Sequence, residues 1–89
     1  MKTIRKGVGE EIAEGFDWSD RLESGDVITD SVWFVDAGLN GLNAAFDNAS
    51  TEIELTSGSE GEQYKVQNQV TTARGLIYER SFMCLVASR

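Results

Sequence analysis

The chain has 89 residues, enough for one domain with a thin core and little room for an interior ligand cavity. Its net charge of −7 argues against nucleic acid as a partner, because that partner rewards clustered Lys and Arg. With no histidine and one cysteine, Cys84, it lacks the commonest general base and metal ligand, and it cannot form an internal disulfide.

The acids and bases are unevenly distributed. Residues 1–9 carry Lys2, Arg5 and Lys6 and no acid. Residues 10–62 hold fourteen of the fifteen acids and one base, Arg21. Residues 63–89 return to a basic excess through Lys65, Arg74, Arg80 and Arg89 against Glu79. The opening residues lack the apolar run of a signal peptide. No stretch approaches the roughly 20 apolar residues of a spanning helix, so no membrane partner is expected and synthesis is placed in the cytoplasm. The expected organisation is a flexible arm over residues 1–10 and a single domain over residues 11–89. Lys2, Arg5 and Lys6 are candidate interface residues on that arm, which would add a strand to a neighbour or wrap it.

After the arm, Ile12, Phe16 and Trp18 alternate on one face, which predicts a strand. The stretch Asp26–Asp36 is rich in β-branched and aromatic residues and switches its apolar face near Trp33 and Phe34, as a central strand or a bulge would. Short strands are expected about Leu42–Phe46 and at Thr51–Thr56. The rival reading of Leu39–Phe46 is a helical turn, weakened by its two Asn and one Gly. Ser57-Gly58-Ser59-Glu60-Gly61 is a loop by composition. From Gln63 to Thr72 the pattern alternates cleanly, with Tyr64, Val66, Asn68 and Val70 on one face. Ala73-Arg74-Gly75 is a tight connection, and the last strand runs from Leu76 to Val86. Both faces of that strand are apolar near its end, which places the end in the middle of a sheet.

No reaction chemistry is legible. Gly7-Val8-Gly9 is followed by acids, the wrong charge for a phosphate cradle. Asp17, Asp20, Glu23 and Asp26 recur every three residues, not at the alternate positions of a calcium loop. They read as a solvated acidic loop, and no cofactor or metal is expected. Trp33 and Phe82 are assigned to the core, as are Trp18 and Cys84. The chain is expected not to be an enzyme.

Two features resemble immunoglobulin-type and fibronectin type III sandwiches. One is a Trp in an early hydrophobic strand, Ser31-Val32-Trp33-Phe34-Val35. The other is Gly58-Ser59-Glu60-Gly61-Glu62-Gln63-Tyr64-Lys65-Val66, which is similar to a tyrosine corner headed by Tyr64, with Gly61 in its turn. The fold expected is an all-β, Ig-like sandwich of six to seven antiparallel strands.

A wider resemblance runs from about Phe16 to Val86. It comprises Phe16-Asp17-Trp18-Ser19, Leu22, Gly25-Asp26-Val27-Ile28, Trp33, Leu39 and Glu52-Ile53-Glu54-Leu55. It continues through the Ser57–Gly61 loop, Tyr64, Val66, Val70-Thr71-Thr72 and Gly75 to Glu79-Arg80-Ser81-Phe82. This resembles the small Ig-like virion proteins of tailed phages labelled fiber-tail adaptors. In that family the loop usually opens with two adjacent glycines, and here Ser57 replaces the first. The resemblance implies a non-enzymatic structural protein of the phage virion, made in the host cytoplasm. It would be docked in multiple copies at the tail, neck or tail-fibre base. Its expected partners are other phage structural proteins, with a homo-oligomer within the particle also considered. The alternatives are a capsid-decorating or head-tail connector protein, and a carbohydrate-binding module presenting an exposed aromatic platform.

Overall fold

A computed structural model describes residues 1–87. It contains seven strands: β1 (Lys2–Lys6), β2 (Ile12–Asp17), β3 (Ile28–Val35), β4 (Leu39–Phe46), β5 (Ser50–Ser57), β6 (Gln63–Thr72) and β7 (Ile77–Val86). They form a four-stranded sheet of order β1-β7-β6-β3 and a three-stranded sheet of order β2-β5-β4. All pairings are antiparallel except β1 with β7. The fold is an all-β sandwich. The last six strands follow the Ig arrangement of two interlocked sheets, with β3, β6 and β7 on one side and β2, β4 and β5 on the other.

Alternation along each strand explains the core. Ile53 and Leu55 of β5 face Tyr64, Val66, Phe82, Cys84 and Val86 of the larger sheet, with Leu39 of β4 closing the group. A second cluster, Trp18, Ile28 and Val70, fills the other end. Aromatic contacts join the sheets between these clusters. Phe16 of β2 lies 6.0 Å from Trp33 of β3 and 5.7 Å from Phe82 of β7, centroid to centroid. Phe82 is fully buried, while Trp33 is half-buried at the sheet edge. Cys84 is buried too, and burial pushes its thiol pKa up, so it remains an inert core residue.

Two sequence expectations change. Leu39–Phe46 is a full strand with an irregularity between Leu42 and Ala45, where Asn43 takes a left-handed φ of 53°. Asparagine tolerates that conformation better than most residues, so the Asn and Gly content marks a bulge and not a helical turn. The second change concerns the expected arm. Lys2–Lys6 is strand, paired from Lys2↔Phe82 to Lys6↔Val86. The physical reason lies in the end of β7, which is apolar on both faces and needs a neighbour on its open edge. The arm adds its strand to its own sheet.

Candidate docking site

The uneven charge of the sequence is partly resolved within the fold. Lys2 of β1 bonds Glu14 of β2 at 3.1 Å, tying the two sheets together along that side. Arg80 of β7 bonds Asp20 at 2.7 Å and lies over the Trp18 ring at 4.5 Å. Arg74, in the β6–β7 turn, pairs with Glu23. Three bases from the two ends, Lys2, Arg74 and Arg80, thus meet acids of the middle of the same chain. Each pair is exposed enough to contribute little by itself.

Three aspartates have pKa values below the ordinary range. Asp17 is lowered by the backbone N–H of Ser19, Asp20 by the Arg80 guanidinium, and Asp47 by the backbone N–H of Ala49 with help from Ser50. Their folded values lie below the unfolded value of about 3.9. Their contribution is therefore fully present above that pH and is lost as pH falls through the folded values. The thermal midpoint should hold from about pH 7 to 5 and decline below about pH 4. A midpoint that stays level throughout would contradict this.

The residues singled out in the sequence are placed as follows. Tyr64 opens β6, and its hydroxyl oxygen accepts a hydrogen bond from Ser59 N at 2.8 Å. The ring sits between Gly38 and Gly58, where an added Cβ would lie 3.0 Å and 3.4 Å from it. Gly61 has φ 85° and donates its N–H to Val86 O at 2.7 Å. Tyr64→Phe is expected to lower stability by about 1 kcal/mol through loss of that bond. Coincident urea curves for the two proteins would count against it.

Ser57 has φ 70°, in the left-handed region, at the position where the resembled family usually has glycine. Ser57→Gly should relieve this strain. It also forfeits the exposed Asn40–Ser57 side-chain bond of 3.2 Å and loosens the unfolded chain. A net gain of about 0.5 kcal/mol is expected, read from the urea midpoint.

The three basic residues of the first strand separate. Arg5 is exposed. Lys2 is engaged with Glu14 and lies over the Phe16 and Phe82 rings. Lys6 is only 1% exposed, and its ammonium donates to Ser57 O at 2.6 Å, Gly7 O at 2.9 Å and Val8 O at 3.4 Å. It is placed as an internal tie between β1 and the end of β5, not on an outer surface. Spacing within one strand could not show this, because the shortest of these bonds, to Ser57 O, reaches across the sandwich to β5.

Sequence reasoning also missed a buried polar network. By sequence, Asn68 is only one member of an alternating face. Its Oδ1 accepts from Thr51 Oγ1 at 2.6 Å and Trp18 Nε1 at 3.1 Å. Its Nδ2 donates to Ser31 Oγ at 2.9 Å and Val32 O at 3.1 Å. The available signal was a carboxamide among apolar residues on an inward face, which demands partners.

The opposite side of the sandwich is open. Strands β3 and β4 are the last strands of their sheets and lie beside each other without pairing. Between them runs a cleft of about 650 Å³, lined by Trp33, Val35, Leu39, Leu42, Ala44 and Ile53 among others. The Trp33 indole N–H is buried and has no acceptor among the described residues. Val32, which also lines the cleft, and Phe34 are exposed on β3, opposite Gln69 and Gln67. From residue 22 to residue 64 the sequence has nine acids and no Lys or Arg. Of these, Asp30 on β3, Glu52 and Glu54 on β5, and Asp36 and Asp47 just after β3 and β4 have no ion-pair partner among the described residues. Trp18 is fully buried and Tyr78 is half-buried, so these two do not form the exposed platform that a sugar-binding module requires.

The model of one protein family matches residues 6–85, described as podophage GP4 fiber-tail adaptor protein gp77. The chain belongs to this fiber-tail adaptor family. The match begins inside β1 and ends inside β7, so it takes in both sheets and both edges of the cleft. No curated protein matches the chain. Among the described residues no group of three or more Asp, Glu, Cys or His side chains is placed to hold a metal ion.

Proposed function

We propose that this chain is a non-enzymatic structural adaptor of a phage virion, docked in multiple copies at the tail, neck or tail-fibre base. Membership of the fiber-tail adaptor family carries this reading. The structure supports it physically. A small sandwich with a thin core gains stability by mass action when partners hold it. Lys2, Arg74 and Arg80 are paired internally, while the β3–β4 side stays open and partly apolar, with Asp30 and Asp36 flanking it. Such a surface suits contact with basic surfaces of other tail proteins, and that contact should weaken as salt is added.

The test is assembly in the absence of the chain. Particles made without it should retain their heads and lack attached fibres, and adding the purified protein should restore attachment. Fully fibred particles in its absence would overturn the reading. Location by cryo-electron microscopy of the restored particles then separates tail, neck and fibre-base positions.

A further inference from the structure

We propose that the cleft between β3 and β4 receives an extended, basic segment of another protein, which adds to β3 along Ser31–Val35 as a fifth strand of the larger sheet. Three observations converge on that stretch. First, β3 is an edge strand, so it presents unpaired backbone groups on its open side. Its pairing with β6 shifts register between Ile28 and Asp30 and is regular from Asp30 to Val35. The regular run is the part able to template a new strand, and an irregularity between Leu42 and Ala45 makes β4 the poorer template.

Second, the cleft offers side-chain sites that the chain leaves unfilled. Alternate residues of an added strand would point into the space lined by Trp33, Leu39 and Leu42. Backbone pairing supplies affinity in this mode, and the pockets supply selectivity.

Third, charge decides what kind of segment fits. Asp30 and Asp36 bracket the regular run, and Glu54 reaches the β4 edge through Asn43 at 2.8 Å. No base lies between residues 22 and 64. A second copy pairing antiparallel through β3 and centred on Trp33 would set Asp30 against Asp36 at both ends. Like charges directly opposite each other disfavour such a pair. A segment with an apolar or β-branched centre and Lys or Arg at its ends meets the opposite field.

This inference uses the adaptor reading only for the existence of a partner, and its test is independent of particle assembly. Two short peptides of alternating Val and Thr serve as probes, one flanked by lysine pairs and one by glutamate pairs. Amide exchange of the full chain is followed by NMR. The lysine-flanked probe should slow exchange at Ser31–Val35 amides, and the glutamate-flanked probe should not. Leu42→Lys, which puts a base on the cleft rim, should weaken that binding roughly tenfold. Asp30→Lys, an exposed change, should act in the same direction if Leu42→Lys disturbs folding. Equal protection by both probes, or by neither, would overturn the proposal. So would protection of Ser31–Val35 by self-association of the chain without any probe. A negative result alongside restored fibre attachment would discard the cleft and leave the adaptor reading standing.

Discussion

Replacing Asn68 by leucine is expected to lower the free energy of unfolding by about 3–4 kcal/mol. Leucine keeps the branching and number of side-chain heavy atoms and is somewhat larger, so the loss does not come from a cavity. It comes from orphaned partners. The Trp18 indole N–H would retain only Thr51 Oγ1 at 3.3 Å, and the Thr51 hydroxyl would lose the acceptor it meets at 2.6 Å. Ser31 Oγ and Val32 O would lose their donor. Two of these groups, Trp18 and Thr51, sit in the buried interior where water cannot replace the bond. For a domain of this size the total stability is on the order of 5–10 kcal/mol, so the loss takes away a large fraction of it. Urea denaturation followed by tryptophan fluorescence measures the difference. Thr51→Ser keeps the hydroxyl and should cost far less. A change below about 1 kcal/mol for Asn68→Leu would mean that the network contributes little net stability.

The second large effect is expected at Lys6. Lys6→Met preserves most of the aliphatic stem and removes the ammonium that three backbone carbonyls share. A loss of about 1–3 kcal/mol is expected, toward the low end if water reaches those carbonyls. Lys6→Glu should be much worse, at more than about 4 kcal/mol, because a buried carboxylate would face carbonyl oxygens with no donor. Arg5→Glu, one residue away and exposed, should stay within about 0.5 kcal/mol. The contrast separates an internal tie from a surface charge. Equal, small effects at both positions would place Lys6 among ordinary surface bases. Because Lys6 anchors β1 to the end of β5, its loss should also expose the β7 edge, visible as faster amide exchange from Phe82 to Val86.

The two sites bear on how the protein presents itself to partners. The network of Asn68 holds β6 against β5 across the sandwich, and Lys6 with the Lys2–Glu14 pair closes the β1–β2 side. What remains open is the β3–β4 side. The molecule is thus held firmly along one flank and through its middle, and left unfinished along the other.

The sequence by itself determined a good deal. Period-two alternation together with β-branched and aromatic content located six strands, because a strand that borders a core must turn apolar side chains toward it. The clean face of Tyr64, Val66, Asn68 and Val70 became β6 with its predicted bounds. A Tyr following a Gly-containing turn carried the likeness to a tyrosine corner, and the absence of histidine removed the commonest catalytic constellations. The resemblance to fiber-tail adaptors agrees with the family match over residues 6–85.

Only the tertiary structure decided the rest, and the reason is common to each case. Lys2–Lys6 has no apolar pattern of its own, and becomes a strand because the end of β7 offers it an edge. Lys6 reads as a surface base until Ser57 O, more than fifty residues away, is brought within 2.6 Å. Asn68 reads as one polar residue in a strand until Trp18 and Thr51 meet it. The open cleft depends on which strands end their sheets, a matter of long-range pairing that local periodicity does not encode. Alternation reports which face of a strand is buried. It does not report what lies opposite, and for this protein the partners across the sandwich assign the polar residues their roles.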